Sequence, residues 1–193
     1  SDTPPRLLEE IYGKPFQAAI QESDLLGIMP CYCTVNGEPV SASYGLLTKL
    51  LRDEMGFQGL CISDYGAVGN THGSQHVGET LEDAGLLCLK AGMDMELPNP
   101  SGFGEKFLEK FRTGKADISA LNRAVLRVLT AKFRMGLFEH PFSLQGEELK
   151  GVFSQKTDRE VSLQSAKESL VLLKNNGVLP IGSDVKKIAV IGP

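Results

Sequence analysis

Asp64 stands at the end of a short apolar run, Gly59-Leu60-Cys61-Ile62-Ser63, and Tyr65 follows it. A carboxylate directly after a buried strand costs desolvation unless it is hydrogen-bonded or chemically employed. Asp64 is therefore either a working group or a cap for the Gly-rich loop that follows, with Ser63 sharing that role. Tyr32 follows a second apolar run, Leu25–Met29. Its phenol can orient a substrate or a carboxylate, or it is an amphipathic residue at a strand end. Asp94 and Glu96 would share one face of a strand over Met93–Leu97, where structural hydrogen bonds beneath a site are favoured over catalysis. In parallel α/β folds, working groups gather at the carboxyl ends of strands, and that rule selects these positions.

Other chemistries find less support. No GxGxxG or Gly-Lys-Ser/Thr phosphate cradle is present, and no Gly-x-Ser-x-Gly elbow. His72 and His76 are four apart with Gly73 between them, which argues against a helical metal pair and for surface histidines. Cys31-Tyr32-Cys33 raises a metal reading with those histidines as distant partners, but no second closely spaced Cys or His pair accompanies it. No metal and no cofactor is expected. The Lys and Arg residues between Lys106 and Arg134 read as a solvated helix face.

The elements that must position these groups follow from hydrophobic spacing. Arg6 to Glu22 reads as a helix kinked or split by Pro15. Leu25–Met29 reads as a strand, Asn36-Gly37 as a turn, and Tyr44 to Glu54 as a helix closed by Gly56. Gly59–Ser63 is the next strand, and a Gly-rich loop runs on to Gly78. A helix over Glu79–Lys90 leads to the strand Met93–Leu97. Asp117 caps a long helix to Arg134 with the apolar stripe Ile118, Leu121, Val125, Leu126, Leu129 and Phe133. Strands alternating with helices predict an α/β fold with a parallel sheet. The pattern lapses from Glu139 to Gly151, which reads as a linker. A helix from about Asp158 to Lys174 follows, then a turn at Asn175-Asn176-Gly177. Lys187 to Pro193 reads as a buried strand opening a further α/β unit.

The chain has 193 residues, 41% apolar and 23% charged, with a net charge of −4. That is an ordinary globular balance. The negative charge argues against a nucleic-acid binder and against an anionic membrane surface as partner. No apolar run approaches the roughly 18 residues of a membrane span. The four cysteines form no disulfide framework, and Cys61 and Cys88 read as reduced core residues. With no Asn-x-Ser/Thr sequon, they favour a cytoplasmic setting, a secreted or periplasmic one staying open. The opening Ser1-Asp2-Thr3-Pro4-Pro5 reads as the interior of something longer, and a core strand is a poor place to end a domain. The expectation is a fragment.

Gly56-Phe57-Gln58-Gly59-Leu60-Cys61-Ile62-Ser63-Asp64-Tyr65-Gly66-Ala67-Val68 resembles the nucleophile motif of glycoside hydrolase family 3. The flanks resemble that family in order. They include Leu47–Phe57, Ile28-Met29-Pro30-Cys31-Tyr32 with Asn36-Gly37-Glu38-Pro39, Lys90–Pro98, Lys132–Phe138, and Ser169–Asn175 with Leu179-Pro180. The resemblance implies the later part of a (β/α)8, TIM-like barrel over residues 1–138. It implies a linker with one helix over 139–186 and the first strand of an α/β sandwich domain over 187–193.

It further implies a retaining exo-acting β-glycosidase, a β-glucosidase first, acting on a small oligosaccharide or an aryl or alkyl β-glycoside. Asp64 would be the nucleophile, and Tyr32, Met29 and Tyr65 would bind substrate. Tyr65 stands where many β-glucosidases carry Trp, which keeps a β-xylosidase open. Cys33 stands where Asn is usual. The family's acid/base Glu comes from the second domain, so none is assigned here. The remainder of a parent chain would be needed for a complete site, and the isolated chain is expected to be inactive. A non-catalytic carbohydrate-binding remnant is the rival reading, against which the intact Ser63-Asp64-Tyr65 motif speaks.

Overall fold

The computed structural model describes residues 2–153 and 155–192. They divide into two units, one ending at Pro141 and the other starting at Phe142. In the first, α1 (Pro5–Leu7) passes through a π-helical stretch (Leu8–Tyr12) into α2 (Lys14–Glu22). The helix read over 6–22 is thus broken at Gly13 and not at Pro15. Pro15 lies in the first turn of α2. A missing N–H costs nothing there, so the proline starts a helix instead of kinking one.

The strand read over Leu25–Met29 shrinks to β1 (Gly27–Ile28). A hairpin follows, β2 (Thr34–Val35) and β3 (Glu38–Pro39), and Val35 pairs with Glu38. Its turn residues Asn36 and Gly37 take φ of 51° and 82°. Both are left-handed, as a two-residue type I′ turn demands. The Asn36 amide also clasps Thr3, accepting its N–H at 2.7 Å and donating to its carbonyl at 2.8 Å. The helix read over Tyr44–Glu54 is present as a π-helix, Gly45–Glu54, that buries Leu47, Leu51 and Arg52.

β4 (Leu60–Tyr65) then enters the sheet, longer than expected, so that Asp64 and Tyr65 end the strand instead of following it. The loop expected through Gly78 contains a helix, α3 (Ala67–Gly73). α4 (Leu81–Ala91) is capped by Thr80, whose side chain accepts the Asp83 N–H. β5 (Met95–Leu97) completes a parallel sheet in the order β1-β4-β5. Gly27 pairs with Leu60, Ile28 with Cys61, and Ile62 with Met95. This is an α/β fold with helical crossovers on the sheet, as the sequence predicts.

α5 (Glu105–Arg112) and α6 (Ile118–Arg134) follow, and the Asp117 side chain caps α6 by accepting the Ser119 N–H. Leu86 and Leu89 of α4, Phe107 of α5, and Ala120 and Ala124 of α6 form one core cluster. Phe107 stacks on Phe103 at 4.8 Å and meets Phe111 edge-on at 5.0 Å. Smaller clusters join Leu47, Cys61 and Ala91, and Val68, Cys88 and Met93. The apolar stripe expected to bury α6 behaves otherwise. Leu126 and Phe133 are 65% and 61% exposed, and Ala120, Ala124 and Ala131 are the buried residues of this helix. The helix turns its small residues inward, and small side chains let two helices approach closely.

In the second unit, the expected linker contains α7 (Gly146–Val152), and α8 (Lys156–Ser169) ends earlier than the sequence predicts. The buried strand expected over 187–193 is not formed among its described residues. Residues 187–192 have no ladder partner, and Val190 and Ile191 are over 90% exposed. A strand exists only by pairing, and this segment pairs with no other. Pro193 lies outside the described residues. No helix among the described residues is long and apolar enough to cross a membrane.

Candidate active site

Asp64 and Tyr65 end β4, the middle strand of the three. A bulge against β5 falls between Ile62 and Tyr65. Within it, Ser63 is fully buried and its Oγ accepts the Leu97 N–H at 2.8 Å. The hydroxyl thus supplies an acceptor where the bulge interrupts the ladder. Beyond it, the Gly66 N–H donates to the Leu97 carbonyl at 2.9 Å. Gly66 takes a left-handed φ of 70° and turns the chain out of β4 into α3.

Asp64 is held from its own strand. Its Oδ1 accepts the Tyr65 N–H at 2.7 Å. Tyr32 reaches across from the loop after β1, and its Oη donates to the Tyr65 carbonyl at 2.7 Å. Gln75, just past α3, donates through Nε2 to the Tyr32 carbonyl at 2.8 Å. Partial withdrawal from solvent, and then the Asp64 carboxylate, hold the Tyr32 phenol above the usual tyrosine range. The phenol is therefore a neutral donor throughout the neutral pH range. Tyr65 itself is 66% exposed, its ring free to meet a ligand face.

The structure thus brings Tyr32, Asp64 and Tyr65 together. Met29, one residue beyond β1, is half exposed and lines an apolar cavity of about 240 Å3 with Tyr12, Phe16, Cys31 and Met55. His72 sits within α3, its Nδ1 3.2 Å from the Gly78 carbonyl. No group of three or more His, Cys, Asp or Glu that could hold a metal occurs among the described residues.

Beneath the strand ends lies a buried ionic cluster. Asp94 precedes β5, with a fully buried side chain. Its Oδ2 accepts from Arg52 Nη2 at 2.7 Å and from the Cys61 N–H at 2.9 Å, and its Oδ1 accepts from Arg127 Nη1 at 2.9 Å. Arg52 donates onward to the Gly59 and Gly92 carbonyls at 3.0 and 3.2 Å, and its guanidinium lies 5.5 Å above the Phe57 ring. Burial pulls the Arg52 pKa below its ordinary value, against the attraction of Asp94. One carboxylate therefore ties the approaches to β4 and β5 to α6. Glu96 does a separate job, accepting from Ser101 Oγ at 2.5 Å and from the Gly102 and Phe103 N–H groups at 3.0 and 2.7 Å. Both acids are structural, as expected, but they serve different partners.

Arg127 and Lys110, the latter paired with Asp83 at 2.7 Å, are exceptions to the solvated basic face read over 106–134. Arg52, Arg127 and Gln75 went unnoticed in the sequence. Arg52 stands between Leu50-Leu51 and Asp53-Glu54, so the sequence around it reads as an ordinary charged helix end and carries no signal of its burial. Nothing marked Gln75.

Residues 1–131 match the model of the glycosyl hydrolase family 3 N-terminal domain. A β-glucosidase of Rhizobium radiobacter is 36% identical over 195 residues, covering 100% of this chain and 22% of that protein. A β-xylosidase of Formosa agariphila is 35% identical over 202 residues, covering 100% of this chain and 28% of that protein. The crystal structure of a Listeria innocua β-glucosidase in complex with glucose aligns with a TM-score of 0.75 at 30% identity, over 94% of this chain and 24% of that one. The chain spans about a quarter of the length of these relatives. With the Ser63-Asp64-Tyr65 strand end, the bulge that holds it and a family model covering two thirds of its length, this chain belongs to glycosyl hydrolase family 3.

Proposed function

We propose that this chain is the nucleophile-bearing part of a retaining, exo-acting β-glycosidase, a β-glucosidase, and that residues 1–138 are the later part of a (β/α)8 barrel. The observation that carries the reading is Asp64, held by the Tyr65 N–H at the carboxyl end of the middle strand and flanked by Tyr32.

In this reading an Asp64 carboxylate oxygen attacks the anomeric carbon of a terminal β-linked sugar. The bond to the aglycone oxygen breaks as a glycosyl ester forms. A general acid protonates the departing oxygen and then, as base, takes a proton from the water that cleaves the ester. The two carboxyl groups of such enzymes stand about 5–5.5 Å apart. The acid/base is a Glu of the family's second domain, and no residue of this chain is assigned to it. The Tyr65 N–H fixes one face of the nucleophile, and Tyr32 fixes the backbone that presents it. The exposed Tyr65 ring stacks on the sugar. Met29, which lines the apolar cavity beside Cys31, is assigned to the sugar pocket by the family resemblance. A cytoplasmic setting is part of the reading and rests on the four free thiols.

One observation favours a second substrate. Tyr65 replaces the Trp of many β-glucosidases, and the matched relatives include a β-xylosidase. Comparison of aryl β-glucoside with aryl β-xyloside turnover by the full-length protein separates the two.

The proposal is tested with Asp64→Gly in the full-length protein. An external azide should restore turnover of an activated aryl β-glycoside and yield the α-glycosyl azide, because azide then attacks in place of the carboxylate. Full activity of the variant without azide contradicts the assignment. The 193-residue segment alone is expected to hydrolyse no aryl glycoside.

A further inference from the structure

Residues 31–33, in the loop after β1, are exposed and belong to no helix or strand. Two contacts pin Tyr32 there. Its phenol donates to the Tyr65 carbonyl at 2.7 Å, and its own carbonyl accepts from Gln75 Nε2 at 2.8 Å. Both partners belong to one stretch of chain, since α3 leaves β4 at Gly66 and Gln75 lies two residues past α3. The tail that carries Gln75 is wound back onto that helix. The Asn70 carbonyl accepts the N–H groups of Ser74 and Gln75, both at 3.0 Å, and the Thr71 carbonyl accepts that of Val77 at 2.9 Å. Thr71 is fully buried, and its Oγ1 donates to the Ala67 carbonyl at 3.0 Å. His76 then takes a left-handed φ of 55°, a conformation that non-glycine residues adopt at a cost and that surrounding contacts must hold. These contacts fix the Gln75 backbone independently of Tyr32. The result is a closed ring. The chain runs from Tyr65 through α3 to Gln75, one hydrogen bond crosses to Tyr32, and a second returns from Tyr32 to Tyr65.

We propose that Gln75 is a positioning residue for Asp64. It holds the Tyr32 carbonyl, and so keeps the Tyr32 phenol on the Tyr65 carbonyl beside that carboxylate. Its effect on turnover rests on the glycosidase reading, whereas its grip on Tyr32 does not. Without the Gln75 amide the ring opens at the exposed loop, and Tyr32 is left with the phenol contact. Both bonds of the ring join exposed groups. Such bonds contribute modestly, so loss of Gln75 weakens the aim of Asp64 without abolishing it. A misaimed nucleophile slows bond making more than it weakens substrate binding. The loss should therefore fall on kcat before KM.

The test is a double-mutant cycle in the full-length protein, read on an aryl β-glycoside. Gln75→Leu should lower kcat/KM by about 2- to 12-fold, mainly through kcat. Gln75→Glu keeps the shape, loses the donor and should match it. In a Tyr32→Phe background the Gln75→Leu change should cost less than about 2-fold, because the bond through which Gln75 acts is already gone. Unchanged kinetics in Gln75→Leu or Gln75→Glu, a loss confined to KM, or the same fold-loss in both backgrounds overturns the positioning role. A second readout needs no turnover. Tetranitromethane treatment followed by peptide mapping should nitrate Tyr32 faster in Gln75→Leu than in the unaltered protein, because the phenol spends more time off the Tyr65 carbonyl. Equal nitration rates overturn the grip on Tyr32. Absence of turnover by the unaltered protein counts against the proposed function, and nitration still decides whether Gln75 holds Tyr32.

Discussion

The Tyr32 phenol and the Tyr65 backbone carbonyl meet at 2.7 Å across 33 positions of the chain. This bond joins the loop after β1 to the end of β4, one residue from the carboxylate on which the proposed chemistry depends. Because Oη carries a single proton, donating it to Tyr65 leaves Asp64 to be held chiefly by the Tyr65 N–H at 2.7 Å. Tyr32 thus acts on Asp64 mainly through the backbone.

Tyr32→Phe keeps the ring and removes the donor. The bond is exposed, so losing it costs about 0.5–1.5 kcal/mol, equivalent to about a 2- to 12-fold fall in kcat/KM. Steady-state kinetics of the full-length variant on an aryl β-glycoside checks this. Unchanged kcat/KM removes Tyr32 from the site.

Arg52→Ala leaves the buried Asp94 carboxylate with one cationic partner instead of two. Breaking a buried ion pair from one side costs about 3–5 kcal/mol, because a charge stays uncompensated. Denaturant unfolding should show a loss of that order. Arg52→Met combined with Asp94→Leu should recover part of it, since neither buried charge then remains. A loss below about 1 kcal/mol contradicts the structural role given to Asp94.

Ser63→Ala removes the acceptor of the Leu97 N–H inside the bulge. The orphaned buried donor should cost about 1–3 kcal/mol of stability. It should also lower kcat more than it raises KM, because the strand end that aims Asp64 is loosened. An equal effect on both parameters, or none, counts against the bulge as a positioning device.

The buried thiols set a pH dependence. Cys61 and Cys88 hold their protons up to about 12 in the folded chain. An unfolded thiol ionises near about 8.5. Above that pH the unfolded state sheds protons that the folded state keeps. Their contribution to stability is therefore complete below about pH 8.5, declines as the pH rises towards 12 and is flat beyond it. In native protein at pH 8, Ellman's reagent should modify Cys31 and Cys33 while Cys61 and Cys88 react only after unfolding. Rapid modification of Cys61 in the native state contradicts its burial.

The parts of the fold that could be read from residues are those governed by local rules. Asn36-Gly37 forms its turn because both residues tolerate positive φ, and Asp117 and Gly136 bound α6 as capping chemistry requires. The apolar runs at 25–29, 59–63 and 93–97 found their places in the sheet, and the rule of strand ends selected Asp64 and Tyr32. What escaped depends on partners remote in sequence. α3 hid behind Gly66, Gly69 and Gly73, which weaken a helical pattern without preventing a helix packed against the sheet. The Arg52–Asp94–Arg127 cluster joins residues more than thirty positions apart, and periodicity carries no record of such a meeting. Residues 187–192 are apolar enough for a strand, yet a strand needs a neighbour to pair with.

The most direct measurement is covalent trapping. The full-length protein is incubated with activated 2-deoxy-2-fluoro β-glucoside and, separately, β-xyloside, and the modified peptide is mapped by mass spectrometry. A glycosyl ester on Asp64 is the predicted result, and the faster-reacting sugar identifies the substrate. An active enzyme labelled on any other residue contradicts the account.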